Sequence, residues 1–185
     1  MDSLCPVWGK LYRRSLIQKS GTRFVDLAEI GSYEDGFFNL EVFGKADRVV
    51  YLAAYLYHYR RDGSSSVTSG YSPRLYDQWQ TLYDRMEAII RSNQLGSEYE
   101  AALNNRIALG ILGLGLNITV STQSMGKKVK DIHRIIRQER YRKACKNLPL
   151  NYFPIHWKLF YGCARHGFAF GVYVLLTVIQ RIISR

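Results

Sequence analysis

The apolar residues of this 185-residue chain change period at Pro73. Beyond it, Leu75, Trp79, Leu82, Tyr83, Met86, Ile89 and Ile90 recur at three- and four-residue intervals, which places them on one face of a helix ending near Ser92 and Asn93. A second helix is predicted from Ser97 to about Ser121, with Tyr99, Leu103, Ile107, Ile111 and Leu114 as its stripe. Its Gly110, Gly113 and Gly115 each cost about 1 kcal/mol against Ala unless close packing uses the missing side chain. A third helix is predicted over roughly 127–146. Before Pro73 the reading is mixed. Val49-Val50-Tyr51-Leu52 and Tyr55-Leu56-Tyr57-His58-Tyr59 have the β-branched and aromatic content of strands, and one short helix follows Glu34-Asp35. Residues 60–73, polar and glycine-containing, read as a mobile connection. The expected class is α/β, a small sheet followed by an all-helical region.

The formal charge of +11 exceeds what solubility requires and implies a polyanionic partner. Nucleic acid, a nucleotide diphosphate and an anionic membrane surface all qualify. The segment 127–146 concentrates the charge, with nine Lys or Arg against Asp131 and Glu139. No helix-turn-helix, RNA-recognition or zinc-finger signature accompanies it, so nucleic acid is not the expected partner. From Tyr152 the chain turns aromatic and then apolar. The uncharged run from Phe168 to Ile179 falls short of the ~20 residues that span a bilayer as a helix. Arg165, Arg181 and Arg185 flank it, and Trp157, Tyr161 and Tyr173 are residue types that favour a lipid interface. A tail resting on an anionic membrane satisfies this pattern. So does packing of Val172, Leu175, Leu176 and Ile179 on the preceding helices. Cys5, Cys145 and Cys163 form neither a disulfide framework nor a C-x-x-C metal site, and the N-terminus has no secretory pattern. The expected location is therefore cytoplasmic, peripheral on the inner membrane face.

Chemistry is suggested by separated motifs near the start: Val7-Trp8-Gly9-Lys10-Leu11-Tyr12-Arg13-Arg14, then Phe24, then Tyr33-Glu34-Asp35, then Tyr57-x-Tyr59-Arg60 and a serine loop. In order and approximate spacing they resemble the C-terminal, acceptor-side part of a family-2 glycosyltransferase, the inverting type with a GT-A fold, over roughly residues 6–90. The resemblance implies a partial GT-A sheet over 1–72; the residue pattern adds a helical region over 73–146 packed on it and a basic, aromatic tail over 147–185. It implies transfer of a sugar from a nucleotide-sugar donor to a glycan or lipid-linked acceptor in bacterial cell-surface polysaccharide synthesis. Asp35 would be the base that takes the acceptor proton, and Glu34 would orient the acceptor or steady the loop. Trp8 and Lys10 would line the acceptor side, while Arg60, Ser64 and Ser65 would close over the phosphates. The complete enzyme is expected to use a divalent cation, Mg or Mn, on a D-x-D pair, and no D-x-D occurs in this sequence. The donor-binding half is thus expected to be missing, or to exist as a separate N-terminal half, and the isolated chain to be inactive. The alternative is a non-catalytic membrane-associated or partner-binding module derived from a truncated transferase.

Simpler structural readings stand beside these. Ser32 suits an N-cap with Glu34 and Asp35 in the first helical turn. Arg13 and Arg14, adjacent on a strand, would point to opposite faces, and a solvated surface explains them. Trp8 suits a core or a pocket wall better than a stacking platform, and His58 suits a structural histidine in an aromatic strand. His133, His156 and His166 are not spaced as a metal set.

Overall fold

The computed structural model describes residues 5–54, 56–58 and 70–183. Among these every regular element is helical, and the expected α/β class with a partial GT-A sheet is overturned. In chain order the helices are α1 (Arg14–Ser20), α2 (Leu27–Ile30), α3 (Glu34–Phe43), α4 (Leu75–Ser92), α5 (Ser97–Thr119), α6 (Met125–Arg137), α7 (Glu139–Asn147), α8 (Ile155–His166) and α9 (Ala169–Ile183), with a 3-10 turn at Leu150–Tyr152. The segment 49–52 is irregular, its four side chains 62–80% exposed. Strand propensity records how well a side chain fits a pleated, half-buried surface. Without a neighbouring strand or a covering layer, the β-branched run has nothing to fit. Tyr57 and His58 are likewise exposed and irregular, while Tyr55 and Tyr59 lie outside the described residues.

The chain divides into two compact units, the first comprising Met1–Ser69 and Arg74–Tyr99, the second Gly70–Pro73 and Glu100–Arg185. In the first, α4 buries Trp79, Leu82, Tyr83, Met86 and Ile90 of the predicted stripe, while Leu75 and Ile89 are half-buried. It packs on α2 and α3, which contribute Ile30, Phe37, Phe38 and Val42. Sequence reasoning passed over α1 and α2, although their punctuation is visible. Asp26 caps α2 by accepting the Ala28 N–H at 2.8 Å, and Gly21 ends α1 in the left-handed conformation, φ +67°. Arg14 therefore opens a helix, which corrects the strand argument made for Arg13 and Arg14. Both are exposed.

In the second unit α5 buries Leu103, Ile107, Ile111, Leu114 and Ile118, four of them in the predicted stripe. Gly115 shows how a glycine-bearing helix remains stable there. A Cβ at that position would sit 2.5 Å from Leu176 Cδ1, so α9 occupies the space a side chain would take. By length and composition α5 is long and apolar enough to cross a membrane, and 44% of its most apolar window is buried inside the protein.

The single basic helix predicted over 127–146 is two helices, broken at Gln138, whose ψ of 140° is extended. The reason is a phase conflict. The buried pairs Ile132 and Tyr141, Ile135 and Ala144, and Ile136 and Cys145 are each nine residues apart. In one straight helix such a spacing places the two members about half a turn apart, on opposite faces. The break lets both sets face one core, completed by Phe160, Tyr161 and Ala164 of α8 and Val172 and Leu176 of α9.

Charge is divided as sharply as structure. Of 26 Lys and Arg, 12 fall in the first unit with 12 of the 15 Asp and Glu, so that unit is formally neutral. The second holds the other 14 basic and 3 acidic residues, and with them the whole net charge of +11.

Candidate functional site

The acid pair occupies the first turn of α3, as expected, but the helix starts differently. Tyr33, not Ser32, is the N-cap residue, and it sits in the left-handed conformation at φ 75°, ψ 23°. For a residue with a Cβ this costs about 1–2 kcal/mol. Ser32 is used elsewhere, accepting the Trp79 indole N–H at 3.0 Å and so tying the turn to α4. The left-handed turn folds the Tyr33 ring over Gly36, where any Cβ would collide with it. The phenol oxygen then meets Cys5 Sγ at 2.8 Å.

Residues 5–12 lie across the start of α3 as an irregular strip fixed by polar contacts. The Val7 N–H donates to Asp35 Oδ2 at 3.0 Å. One helical turn further along the same face, Asn39 donates from Nδ2 to the Cys5 carbonyl at 2.5 Å and accepts the Tyr12 hydroxyl proton on Oδ1 at 2.6 Å. Asn39 is buried, and a buried amide needs both kinds of partner. Burial first, and then the nearby Asp35 charge, raise the Tyr12 pKa above its ordinary value, against the opposing effect of the Asn39 bond. Tyr12 therefore stays a neutral phenol that donates. Tyr12 and Phe24 also pack on Phe38, edge-on at 5.6 Å and stacked at 4.4 Å respectively.

Asp35 is half-buried and committed through one oxygen only. Among the described residues Oδ1 accepts no hydrogen bond, and Glu34 makes none. Neither side chain caps the helix, although the positive end of the α3 dipole favours both carboxylates. Trp8 follows Val7 in the same strip. Trp8 is 43% exposed and stacks on Tyr57 with ring centroids 5.0 Å apart, so of the two readings offered, core or pocket wall, it does not take the core one. Lys10 is half-buried, its ammonium donating to the Pro6 carbonyl. His58 is exposed. Arg60, Ser64 and Ser65 lie outside the described residues.

Of the predicted set, Asp35 is hydrogen-bonded through Val7 to the strip that carries Trp8 and Lys10, and Glu34 precedes it in the same helical turn. The structure adds Asn39 and Gly36, which sequence reasoning did not single out. Their signal was position alone, Asn39 four residues after Asp35 and Gly36 directly after it. Among the described residues no group of three or more His, Cys, Asp or Glu could hold a metal ion.

No protein-family model and no solved structure matches the chain. Its similarities are to bacterial glycosyltransferases. It is 34% identical over 102 residues to EpsH of Bacillus subtilis (strain 168), provisionally assigned as a glycosyltransferase, covering 55% of this chain and 29% of the relative. Over 157 residues it is 31% identical to EpsJ of the same organism, a glycosyltransferase of uncharacterised activity, covering 84% of this chain and 44% of the relative. It is 31% identical over 161 residues to the glycosyltransferase GlyA of Streptococcus pneumoniae serotype 4 (strain ATCC BAA-334 / TIGR4), covering 81% of this chain and 21% of the relative. The chain is a distant homologue of these proteins and spans less than half the length of each.

Proposed function

We propose that the first unit is the acceptor side of an inverting, family-2 glycosyltransferase, with Asp35 as the base. One observation carries the reading: the Val7 N–H bond to Asp35 Oδ2 joins two motifs 28 residues apart and leaves Oδ1 without a partner among the described residues. Similarity to glycosyltransferases across most of the chain supports it.

In the proposed reaction an acceptor hydroxyl attacks the anomeric carbon of a nucleotide-bound sugar, and the nucleoside diphosphate leaves from the opposite face. Asp35 Oδ1 takes the hydroxyl proton as the new bond forms, which requires hydrogen-bond reach above all. Val7 and the start of α3 hold the carboxylate in place. The exposed Trp8 ring offers an apolar face to the acceptor sugar, and Glu34 lies at the same mouth to orient its hydroxyls. Arg60, Ser64 and Ser65 are assigned to the departing phosphates. Donor-nucleotide and metal binding are assigned to residues outside this chain.

The test is Asp35→Asn in the longest natural form of the protein, with transfer and donor binding measured separately. Loss of a general base costs about a hundred- to ten-thousand-fold in kcat, and nucleotide affinity should stay unchanged. Unaltered turnover would remove Asp35 from the mechanism. Trp8→Ala should raise the acceptor KM by roughly tenfold with a smaller change in kcat, as removal of a stacking surface does.

A further inference from the structure

Helix α9 is largely apolar on both its covered and its outer face, with Thr177 and Arg181 among the outer residues. Ala169, Val172 and Leu176 are buried against the rest of the second unit, whereas Phe170, Val174, Val178 and Ile182 stand 42–68% exposed. These four recur every fourth residue, a continuous row about 18 Å long on the outer face. A contiguous exposed apolar row of this kind is ordinarily covered, so it needs an occupant. Phe168, 56% exposed, extends the row at its start.

Cations border that end. The Arg137 guanidinium of α6 lies against Gly167, which joins α8 to α9, and the exposed Arg165 precedes it. This is also the unit that holds the entire net charge of the protein.

We infer that the second unit docks on an anionic lipid bilayer, with the outer row of α9 entering the interfacial layer and the cations at its start meeting lipid phosphates. Charge selects this occupant. A second copy seated on the row would bring together two units of +11, which repel. A nucleic acid would satisfy the cations, yet it presents no surface to a row of aliphatic side chains. An anionic bilayer satisfies both, each cation near its surface strengthening binding roughly fivefold. The helix lies in the interface without spanning it, because its 15 residues reach about 22 Å and a hydrocarbon core is about 30 Å thick. The inference is independent of the transferase reading.

The test is flotation of the full chain with vesicles of equal parts phosphatidylcholine and phosphatidylglycerol, against vesicles of phosphatidylcholine alone. The protein should float with the anionic vesicles only and be released by high salt. The double variant Val174→Asp, Val178→Asp changes two exposed positions and should lose retention by roughly tenfold or more, with an unchanged far-UV spectrum. Arg137→Glu with Arg165→Glu should weaken retention independently. Equal retention on both vesicle types would overturn the proposal, as would undiminished retention of the Val174, Val178 variant. So would release of the protein from anionic vesicles by an equal charge of duplex DNA. Self-association in sedimentation that the same variant abolishes, without vesicle binding, would assign the row to a second copy instead.

Discussion

The two units solve the problem of order in opposite ways. The first is formally neutral and holds its site with polar contacts, namely Val7 to Asp35, Cys5 and Tyr12 to Asn39, and Trp79 to Ser32. The second is strongly cationic and organised around a core of Ile, Leu and aromatic side chains, with most of its charges on the surface. Hydrogen bonds are directional and aim side chains, so they suit a region that must place a carboxylate. Apolar packing is tolerant in direction and strong in sum, and it can carry many like charges outside. The difference separates a region that positions groups from one that presents a surface.

The largest stability effects should come from two closely packed glycines, one in each unit. Gly36→Ala forces the Tyr33 ring off the start of α3, and Gly115→Ala forces Leu176 out of the second core. Each should cost about 1–3 kcal/mol. Hydrogen exchange followed by unit should show the first lesion in 1–69 and 74–99 and the second in 70–73 and 100–185. Loss of protection spread evenly over both would break the division into two units.

A smaller effect should follow from pH and appear in the second unit. Burial, slightly offset by Arg165, pushes the Cys145 thiol from 9.0 to about 11. A raised folded-state pKa means the stabilisation is complete below pH 9 and is lost as pH rises from about 9 to about 11, because the unfolded thiol ionises first. The loss should reach about 3 kcal/mol at most. Burial raises Tyr161 in the same direction. Urea midpoints across that window should fall, and Cys145→Ala should flatten the fall. A profile unaltered by that variant would show that Cys145 ionisation contributes nothing.

The smallest effect should be Arg85→Ala in the first unit. Its ion pair with Glu29 is 40% and 49% exposed, and water screens such pairs to about 0.5 kcal/mol or less. A larger cost would mean that ion pairing, and not the polar contacts around α3, holds the neutral unit together.

Much of this was legible in the chain. The stripes of α4 and α5 appeared with nearly the observed ends, because long amphipathic periods leave few alternatives. The position of Glu34 and Asp35 in a first helical turn was legible for the same local reason. The α/β class was misread at 49–52, where residue type suggested strands. Whether a β-branched run pairs depends on a neighbour that local composition does not contain. The break at Gln138 was available in the nine-residue spacing of its apolar residues and was obscured by the density of Lys and Arg.

The sequence by itself determined helix periodicity, the motif that carries Asp35 and the concentration of cations after residue 99. Each depends on residues close together along the chain. The tertiary structure decided that Val7 meets Asp35, that Asn39 links Cys5 to Tyr12, and that α9 keeps one apolar face outside. Those outcomes depend on which distant segments meet, and the free energy that selects them comes from burial shared among many residues.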